Sequence, residues 1–500
     1  MNPSKSTHLK HSAAIALIAA LLAAIAIAQT QAGVKLPDTP AGKTFGAFLA
    51  AFNSGNLETM RRFHSERGGT VKNAEKDMEF YGQSGGLVLY SAKASGDYEI
   101  EALVQTKGDG RWLTFHMQVE STSPYPPDLI DIRPAEAPAS APPPETSKAA
   151  AAPAARRLTE AEVAESLTAY LEGLVKEDRF SGVVLVAKDG KPVFMKAYGL
   201  ADKAKNVPNN PETKFNLGSM NKMFTAVAIA QLAEQSKLSF DDKVGKFLPD
   251  YPNKDVANKV TIHHLLTHTS GLGSYWNAKF DARRAQIKTV ADYLALFADE
   301  PLLFEPGARF EYSNSGFIVL GAIVEKVSGQ SYYDYVREHI YKPAGMTHTD
   351  AYQMTDDTPN LAMGYTGMGP DGRPADGPRR PNTETRPNRG GPAGGGYSTV
   401  GDLLQFALAL NQHKLLSAKM TDLITMGKVA MGPGKYGYGF GDMRVNGQRF
   451  FGHNGGAPGI GSDLSIFPEL GYVAVVMTNY DPPLMMPAAR KVRELLTQGR

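Results

Sequence analysis

The chain has no cysteine among its 500 residues. Disulfide staples, thiolate zinc centres and cysteine nucleophiles are therefore excluded. An excess of either charge is missing as well: 53 Lys and Arg stand against 51 Asp and Glu, a net charge of +2. That balance creates no global field to steer nucleic acid or anionic lipid, so neither is expected as a partner. Long apolar runs are absent apart from Ala13–Ala28, which is shorter than the ~20 residues a spanning helix needs. Lys5 and Lys10 precede this run, and Ala26-Ile27-Ala28 closes it with small residues. The pattern is that of a cleavable signal peptide over 1–28, with Ala32 as a second cleavage candidate. A periplasmic or secreted protein is expected, with no membrane association after cleavage. No cysteine follows the run, so an N-terminal lipid is excluded too.

What is present is ordinary for a soluble protein: 42% hydrophobic and 21% charged residues. The length exceeds what one hydrophobic core serves, so two or more domains are expected. Residues 34–133 form a first candidate. Phe45, Phe48, Leu49 and Phe52 recur at i, i+3, i+4, i+7 and predict an amphipathic helix. Ser54-Gly55 stops it, and Asn56 can cap a second helix. Tyr98, Ile100, Ala102 and Val104 alternate, Asp109-Gly110 turns the chain, and Leu113, Phe115, Met117 and Val119 alternate on the return. A small α+β unit follows from this. Its opening helix, ending in Phe52-Asn53-Ser54-Gly55-Asn56, resembles the start of SnoaL-like cone-shaped domains. His64 and His116 read as satisfied or exposed histidines rather than ligands. Residues 134–157 are rich in Ala and Pro and read as a semi-extended linker, because Pro138, Pro142, Pro143, Pro144 and Pro153 break any helix.

Residues 158–500 form the main domain. Thr159 and Glu162 make a capping box for a helix to about Lys176. Val183–Val186 predicts a buried strand, turned by Asp189-Gly190 into a second at Pro192–Tyr198. Leu464–Phe467 and Tyr472–Met477 predict a hairpin near the other end, and Leu484–Thr497 a closing helix. Strands at both ends with helices between them imply one antiparallel sheet flanked by helices, with a helical insertion. The fold class is α+β, and a cleft is expected where sheet and insertion meet.

Ser219-Met220-Asn221-Lys222 begins a helix dense in apolar residues. Serine and lysine three apart share a helix face, with Cβ atoms about 5–6 Å apart. Burial disfavours the ammonium form, so a neutral Lys222 could accept the serine proton. A helix start also leaves the Ser219 N–H free to face an oxyanion. By itself the pair is equally an N-cap serine and a solvated lysine.

The remaining motifs decide between these. Tyr312-Ser313-Asn314 and His453-Asn454-Gly455-Gly456 follow in that order. With Ser219-Met220-Asn221-Lys222 they resemble the three motifs of the class C β-lactamase-like serine hydrolases. That family includes β-lactamases, D-alanyl-D-alanine carboxypeptidases, D-amino-acid amidases and peptidases, and esterases. Leu265–Leu272, Pro306-Gly307 and Gly394–Thr399 match its flanking segments. The resemblance implies a penicillin-binding-protein-like hydrolase of amide or ester bonds, of the peptidase or D-Ala-peptidase kind, acting through a Ser219 acyl-enzyme on a small-molecule or peptide substrate, without a cofactor. Its catalytic residues are then Ser219, Lys222 and Tyr312. Its oxyanion hole is the N–H of Ser219 and of Gly456, and its substrate contacts are Asn314, His453 and Gly455. Tyr312 can relay the proton if a charged Lys222 lowers its usual pKa of ~10; a neutral Lys222 would be the base itself. His453 stands where β-lactamases of the family carry lysine, which lowers the odds of an efficient β-lactamase and leaves a carboxylesterase, a weak β-lactamase or a non-catalytic penicillin-binding or sensor protein as alternatives.

Other signals are discounted. His264 and His268 are four apart on an expected helix, but no Glu of the zincin type lies between them, so no metal is expected. The glycines from Gly390 to Gly396 lack a following Gly-Lys-Ser/Thr and read as a cleft wall. Asp371–Arg389 reads as a long surface loop. Its Arg379, Arg380, Arg386 and Arg389 are taken as solvated, with attraction of an anionic substrate as the other reading.

Overall fold

The computed structural model describes residues 34–138 and 156–499, apart from 69–70, 109, 136, 370–374, 376 and 433. The signal-like segment 1–28 and most of the expected linker lie outside the described residues. The chain divides into two units at Ala151/Ala152.

In the first unit, α1 spans Pro40–Asn53. Thr39 caps it, its side chain accepting from Gly42 N, and proline occupies the first turn, where a missing N–H costs nothing. Phe45, Phe48, Leu49 and Phe52 form the buried stripe. Gly55 adopts a φ of +64°, and Asn56 accepts from Thr59 N to start α2 at Leu57–Ser65. After α3 (Val71–Ser84) comes an antiparallel meander of β1 (Leu87–Ala94), β2 (Glu99–Thr106), β3 (Trp112–Val119) and β4 (Pro127–Pro134). Cross-strand pairs Ile100–Met117, Ala102–Phe115 and Val104–Leu113 present one apolar face to the phenylalanine stripe. Alternation did not indicate β1 or β4. A bulge between Leu89 and Ser91 breaks the period of β1, and prolines bound β4. His64 bonds Asp77 at 2.6 Å and His116 bonds Glu99 at 2.5 Å.

In the second unit, α4 (Glu160–Lys176) opens with the Thr159–Glu162 capping box. Strands β5 (Gly182–Lys188) and β6 (Lys191–Tyr198) are joined by Asp189-Gly190, both at positive φ, as a tight two-residue hairpin requires. Between them and the C-terminal strands run β7 (Phe215–Asn216), α5 (Asn221–Glu234), α6 (Ile262–Leu266), α7 (Asn314–Ser328), β8 (Tyr397–Ser398) and α8 (Val400–Asn411), among shorter elements. The chain closes with β9 (Val429–Met431), β10 (Gly434–Tyr436), β11 (Gly441–Val445), β12 (Gln448–Ala457), β13 (Ile460–Phe467), β14 (Tyr472–Thr478) and α9 (Pro482–Thr497). The large sheet has the order β9-β10-β11-β12-β13-β14-β5-β6, every pair antiparallel. Strands from both ends of the unit thus meet at β14–β5, as the sequence implies.

Strand β5 shows why both faces must be covered. Val183, Leu185 and Ala187 face the helical middle of the chain, with Val227 and Phe224 of α5 in the same core. Val184 and Val186 face a second core containing Leu167 and Leu171 of α4 and Ala488 and Val492 of α9. Both alternating sets are apolar, so the strand reads as a continuous run. The helical middle lies on one face and the terminal helices on the other, an α+β arrangement.

One charged pair sits between sheet and helix. Asp463 of β13 is paired with Arg493 of α9, whose Nε also donates to Ser465 Oγ at 3.0 Å. Asp463 is 4% exposed. Arg493→Met strands that carboxylate and should cost about 3–5 kcal/mol. Denaturant unfolding should show this loss, and pairing the change with Asp463→Leu should restore most of it. A single variant as stable as wild type would refute the assignment.

Candidate active site

The turn that carries Ser219, the candidate nucleophile, is held from two sides. Asn216 of β7 pairs with Tyr397 of β8. Its Oδ1 accepts from Gly218 N at 2.9 Å, and its Nδ2 donates to Gly395 O at 3.3 Å. Gly218 has a φ of +48°, and a Cβ there would stand 2.7 Å from Gly456 N. Glycine is required both by conformation and by close approach. The helix expected to begin at Ser219 begins instead at Asn221. Gly218–Met220 form a 3₁₀ turn, closed by Met220 N donating to Leu217 O at 3.1 Å, which runs into α5. The tighter turn leaves Ser219 half-buried at the mouth of α5, its N–H without an intrahelical acceptor. Helix α5 is apolar on all sides and buried on all sides, which carries Lys222 into the core.

Lys222 is fully buried. Its Nζ lies 3.2 Å from Ser219 Oγ, 2.8 Å from Asn314 Oδ1 and 2.6 Å from Ala393 O. It also sits 4.8 Å from the Tyr312 ring centre and 5.5 Å from that of Phe317. Among the described residues no carboxylate pairs with it. Burial therefore holds its pKa well below the usual lysine value. Asn314 is the first residue of α7, where Ser313 acts as N-cap by accepting from Gly316 N at 3.0 Å. A 15-residue buried helix thus fixes the amide that orients the amine.

Burial is the larger influence on the Tyr312 hydroxyl and pushes its pKa up, while the neighbouring Ser219 side chain works the other way. Tyr312 still shows 39% exposure, so solvent weakens that upward push. His268 fixes its ring. The two ring centres are 4.2 Å apart, and His268 Nδ1 accepts from Ser313 N at 3.0 Å. The proton of a neutral His268 is therefore on Nε2, which has no acceptor. His268 is not on a helix: α6 ends at Leu266, and His268 follows at a φ of +59°. His264 caps its own helix, its Nδ1 accepting from Thr261 N at 3.3 Å.

His453 lies behind Tyr312, with ring centres 6.5 Å apart and 8% exposure. Its Nδ1 is 2.5 Å from Asn454 O, a pure acceptor, so Nδ1 carries the proton. Nε2 then accepts from the Tyr436 hydroxyl at 2.9 Å. Burial, then the nearby Lys222, lowers its pKa to about 3, so it is neutral rather than partly charged at pH 7. Its side chain borders a cavity shared with Tyr312, Tyr436 and Met443, not the cleft in front of Ser219.

That cleft, of about 560 Å³, is lined by Ser219, Asn314, Gly456, Tyr275, Trp276 and Arg386, among others. Gly455 and Gly456 belong to β12. This strand is internal, yet it pairs with β11 only over Gln448–Gly452. Residues 453–457 pair with β13 alone and leave one side open. A Cβ on Gly455 would meet Leu217 O at 1.9 Å. The bare strand therefore lies directly on the turn that carries Ser219, and Gly456 and Ser219 line the same cleft.

Two contributors carried no sequence signal. The carbonyl of Ala393 is a backbone group, and only the fold brings it to Lys222. Tyr436, 124 residues after Tyr312 by number, reaches His453 because β10 lies near β12 across β11. The glycine-rich segment does form a wall, and it also bonds the nucleophile turn: Leu217 N donates to Gly396 O at 2.7 Å, and Gly396 N donates to Asn221 Oδ1 at 2.9 Å. The described part of the expected loop, 377–389, is more anchored than a solvated loop. Arg379 pairs with Asp178, and the Arg389 guanidinium sits 3.6 Å above the Tyr333 ring.

Residues 167–498 match the family model described as Beta-lactamase. A putative penicillin-binding protein, PbpX, of Bacillus subtilis is 33% identical over 273 residues, covering 54% of this chain and 64% of the relative. The chain thus spans less than two thirds of the length of the first curated relatives it matches. The crystal structure of a penicillin binding protein from Bacillus halodurans superposes with a TM-score of 0.56 at 32% identity, covering 64% of this chain and 98% of that one. A D-stereospecific amidohydrolase from Streptomyces sp. gives 0.57 at 25% identity, covering 69% and 100%.

The contact between strand and turn can be tested directly. Gly455→Ala places a methyl against Leu217 O and should push β12 off the turn. Removing one oxyanion donor costs about 10²–10³ in kcat, and a loss of that order is expected in ester turnover with an unchanged far-UV spectrum. Turnover within twofold of wild type would contradict the contact.

Proposed function

The chain belongs to the Beta-lactamase family, and on that premise we propose that it hydrolyses an amide or ester bond through an acyl-enzyme on Ser219, with Lys222 as the base. The observation that carries this reading is the set of partners around Lys222. A neutral amine has two N–H donors and one lone pair. Asn314 Oδ1 and Ala393 O, at 2.8 and 2.6 Å, take the two donors. The lone pair is then left for the Ser219 hydroxyl at 3.2 Å. A carboxylate would favour the ammonium form, and none is present among the described residues.

The steps follow from that geometry. Lys222 takes the Ser219 proton as Oγ attacks the carbonyl carbon. The oxygen that gains charge is met by the N–H groups of Ser219 and Gly456. Tyr312 keeps its proton at rest, because burial raises its pKa. It delivers that proton to the leaving nitrogen or oxygen as the bond breaks, and Lys222 returns one to Tyr312. Water then attacks the ester, giving its proton back through the same groups and releasing the acid. The name of one structural neighbour, a D-stereospecific amidohydrolase, supports a substrate with a D-configured residue, and the family resemblance of the motifs supports a peptide of the D-alanyl kind. His453, neutral and bonded to Tyr436, offers no cation beside the nucleophile, which argues against an efficient β-lactamase.

A fluorophosphonate or penicillin probe should label wild type and fail on Ser219→Ala. Comparing nitrocefin, a nitrophenyl ester and a D-Ala dipeptide should rank the dipeptide or the ester above nitrocefin. Absence of labelling in wild type would leave a non-catalytic binding or sensor protein. The base has its own test. Activity requires neutral Lys222, so kcat/KM should rise with pH through a pKa below the ordinary lysine range. Asn314→Asp sets a negative charge against Nζ, favours the ammonium form, and should move that acid limb to higher pH. An unmoved limb would remove Lys222 from the role. Tyr312→Phe should slow turnover by about 10²–10⁴-fold, measured as single-turnover acylation and deacylation rates.

A further inference from the structure

The cleft in front of Ser219 has an arginine that the proposed chemistry does not use. Arg386 lines it and also lines a second cavity of about 630 Å³ that shares Asn216, Pro387 and Gly395 with the first. The other described arginines of its loop are engaged. Arg379 pairs with Asp178 and lies over Tyr480, Arg380 reaches Glu384 and Met368 O, and Arg389 donates to Ala351 O and lies over Tyr333. Arg386 differs. Of its five N–H donors, only Nη1 meets an acceptor among the described residues, the hydroxyl of Tyr397. Its Nε is shielded from solvent and has no acceptor. No carboxylate among the described residues pairs with it.

The anchor sets where this cation sits. Tyr397 is 4% exposed and pairs across the β7–β8 ladder with Asn216, just before the nucleophile turn. The guanidinium is thus tethered to the same ladder that carries Ser219. A half-buried guanidinium with open donors is matched by a planar, bidentate anion, and a carboxylate has that shape.

The side of the cleft it reads follows from the proposed mechanism, on which this inference rests. Tyr312 donates to the leaving group and borders the separate cavity with Tyr436 and His453. The cleft with Arg386 is bordered instead by Ser219, Asn314 and Gly456, with Tyr275 and Trp276 as aromatic walls. The acyl portion of the substrate occupies it. We propose that Arg386 is a specificity-determining residue that binds a carboxylate on the acyl portion of the substrate. The preferred substrate is then an acyl donor with an apolar or aromatic body and an acidic end.

Nitrophenyl half-esters of dicarboxylic acids of graded chain length, each beside its neutral methyl ester, give the test. Rates are corrected for spontaneous hydrolysis, and the readout is the anionic-to-neutral ratio of kcat/KM within each protein, which does not depend on the folded fraction. At the best length wild type should favour the anionic ester. Arg386→Gln should lower the ratio by roughly 10- to 150-fold, the range for hydrogen bonds to charged groups, and Arg386→Lys should keep much of it. The same ratio in Arg386→Gln as in wild type, or no anionic preference at any length, overturns the proposal. If wild type hydrolyses neither ester of any pair, the hydrolase reading fails, and this inference falls with it.

Discussion

The site depends on an amine buried without an acid. Lys222 is carried inside by a helix apolar on every side, and it meets only neutral oxygens: an amide, a backbone carbonyl and a hydroxyl. A carboxylate in any of those places would stabilise the charged form and remove the lone pair. The lowered pKa is therefore a property of the packing around the helix, held by the start of α7 on one side and the 390–396 segment on the other.

The same logic extends outward. His268 and His453 are both buried beside Lys222 and both driven toward their neutral forms. Each has one nitrogen committed by a backbone group: Ser313 N–H for His268 and Asn454 O for His453. They serve as flat, uncharged supports, one packed against the Tyr312 ring and the other receiving the Tyr436 hydroxyl. In the proposed reaction a charged histidine at either place would repel the ammonium formed at Lys222, and a carboxylate would trap it. Glycines complete the arrangement by letting backbone approach backbone: Gly455 under Leu217 O, and Gly218 beside Gly456 N.

The helical middle of the second unit carries Ser219, Lys222, Tyr312 and Asn314, and the sheet carries His453, Gly455 and Gly456. The cleft lies where the two meet. Because β12 outruns its pairing with β11, the only bare stretch of an otherwise internal strand faces the nucleophile turn. That is a consequence of strand length, and it leaves a short open sheet edge at residues 453–457.

Much of this was legible beforehand. The period of Phe45–Phe52, the Thr159–Glu162 box, the Asp189-Gly190 turn and the doubly apolar run at Val183–Val186 are local signals, and local physics determines them. The order of the Ser-Lys, Tyr-Ser-Asn and His-Asn-Gly-Gly motifs pointed to one chemistry because residue type limits what a side chain can do. Tertiary structure alone decided the rest. Ala393 enters through its carbonyl, which every residue possesses, so no sequence pattern marks it. Tyr436, and the contrast between Arg386 and its engaged neighbours, depend on which strands and loops come together. The charge states of Lys222 and His453 depend on what is absent around them. An amino-acid sequence records which groups are present, but only the folded chain determines which of them are kept apart.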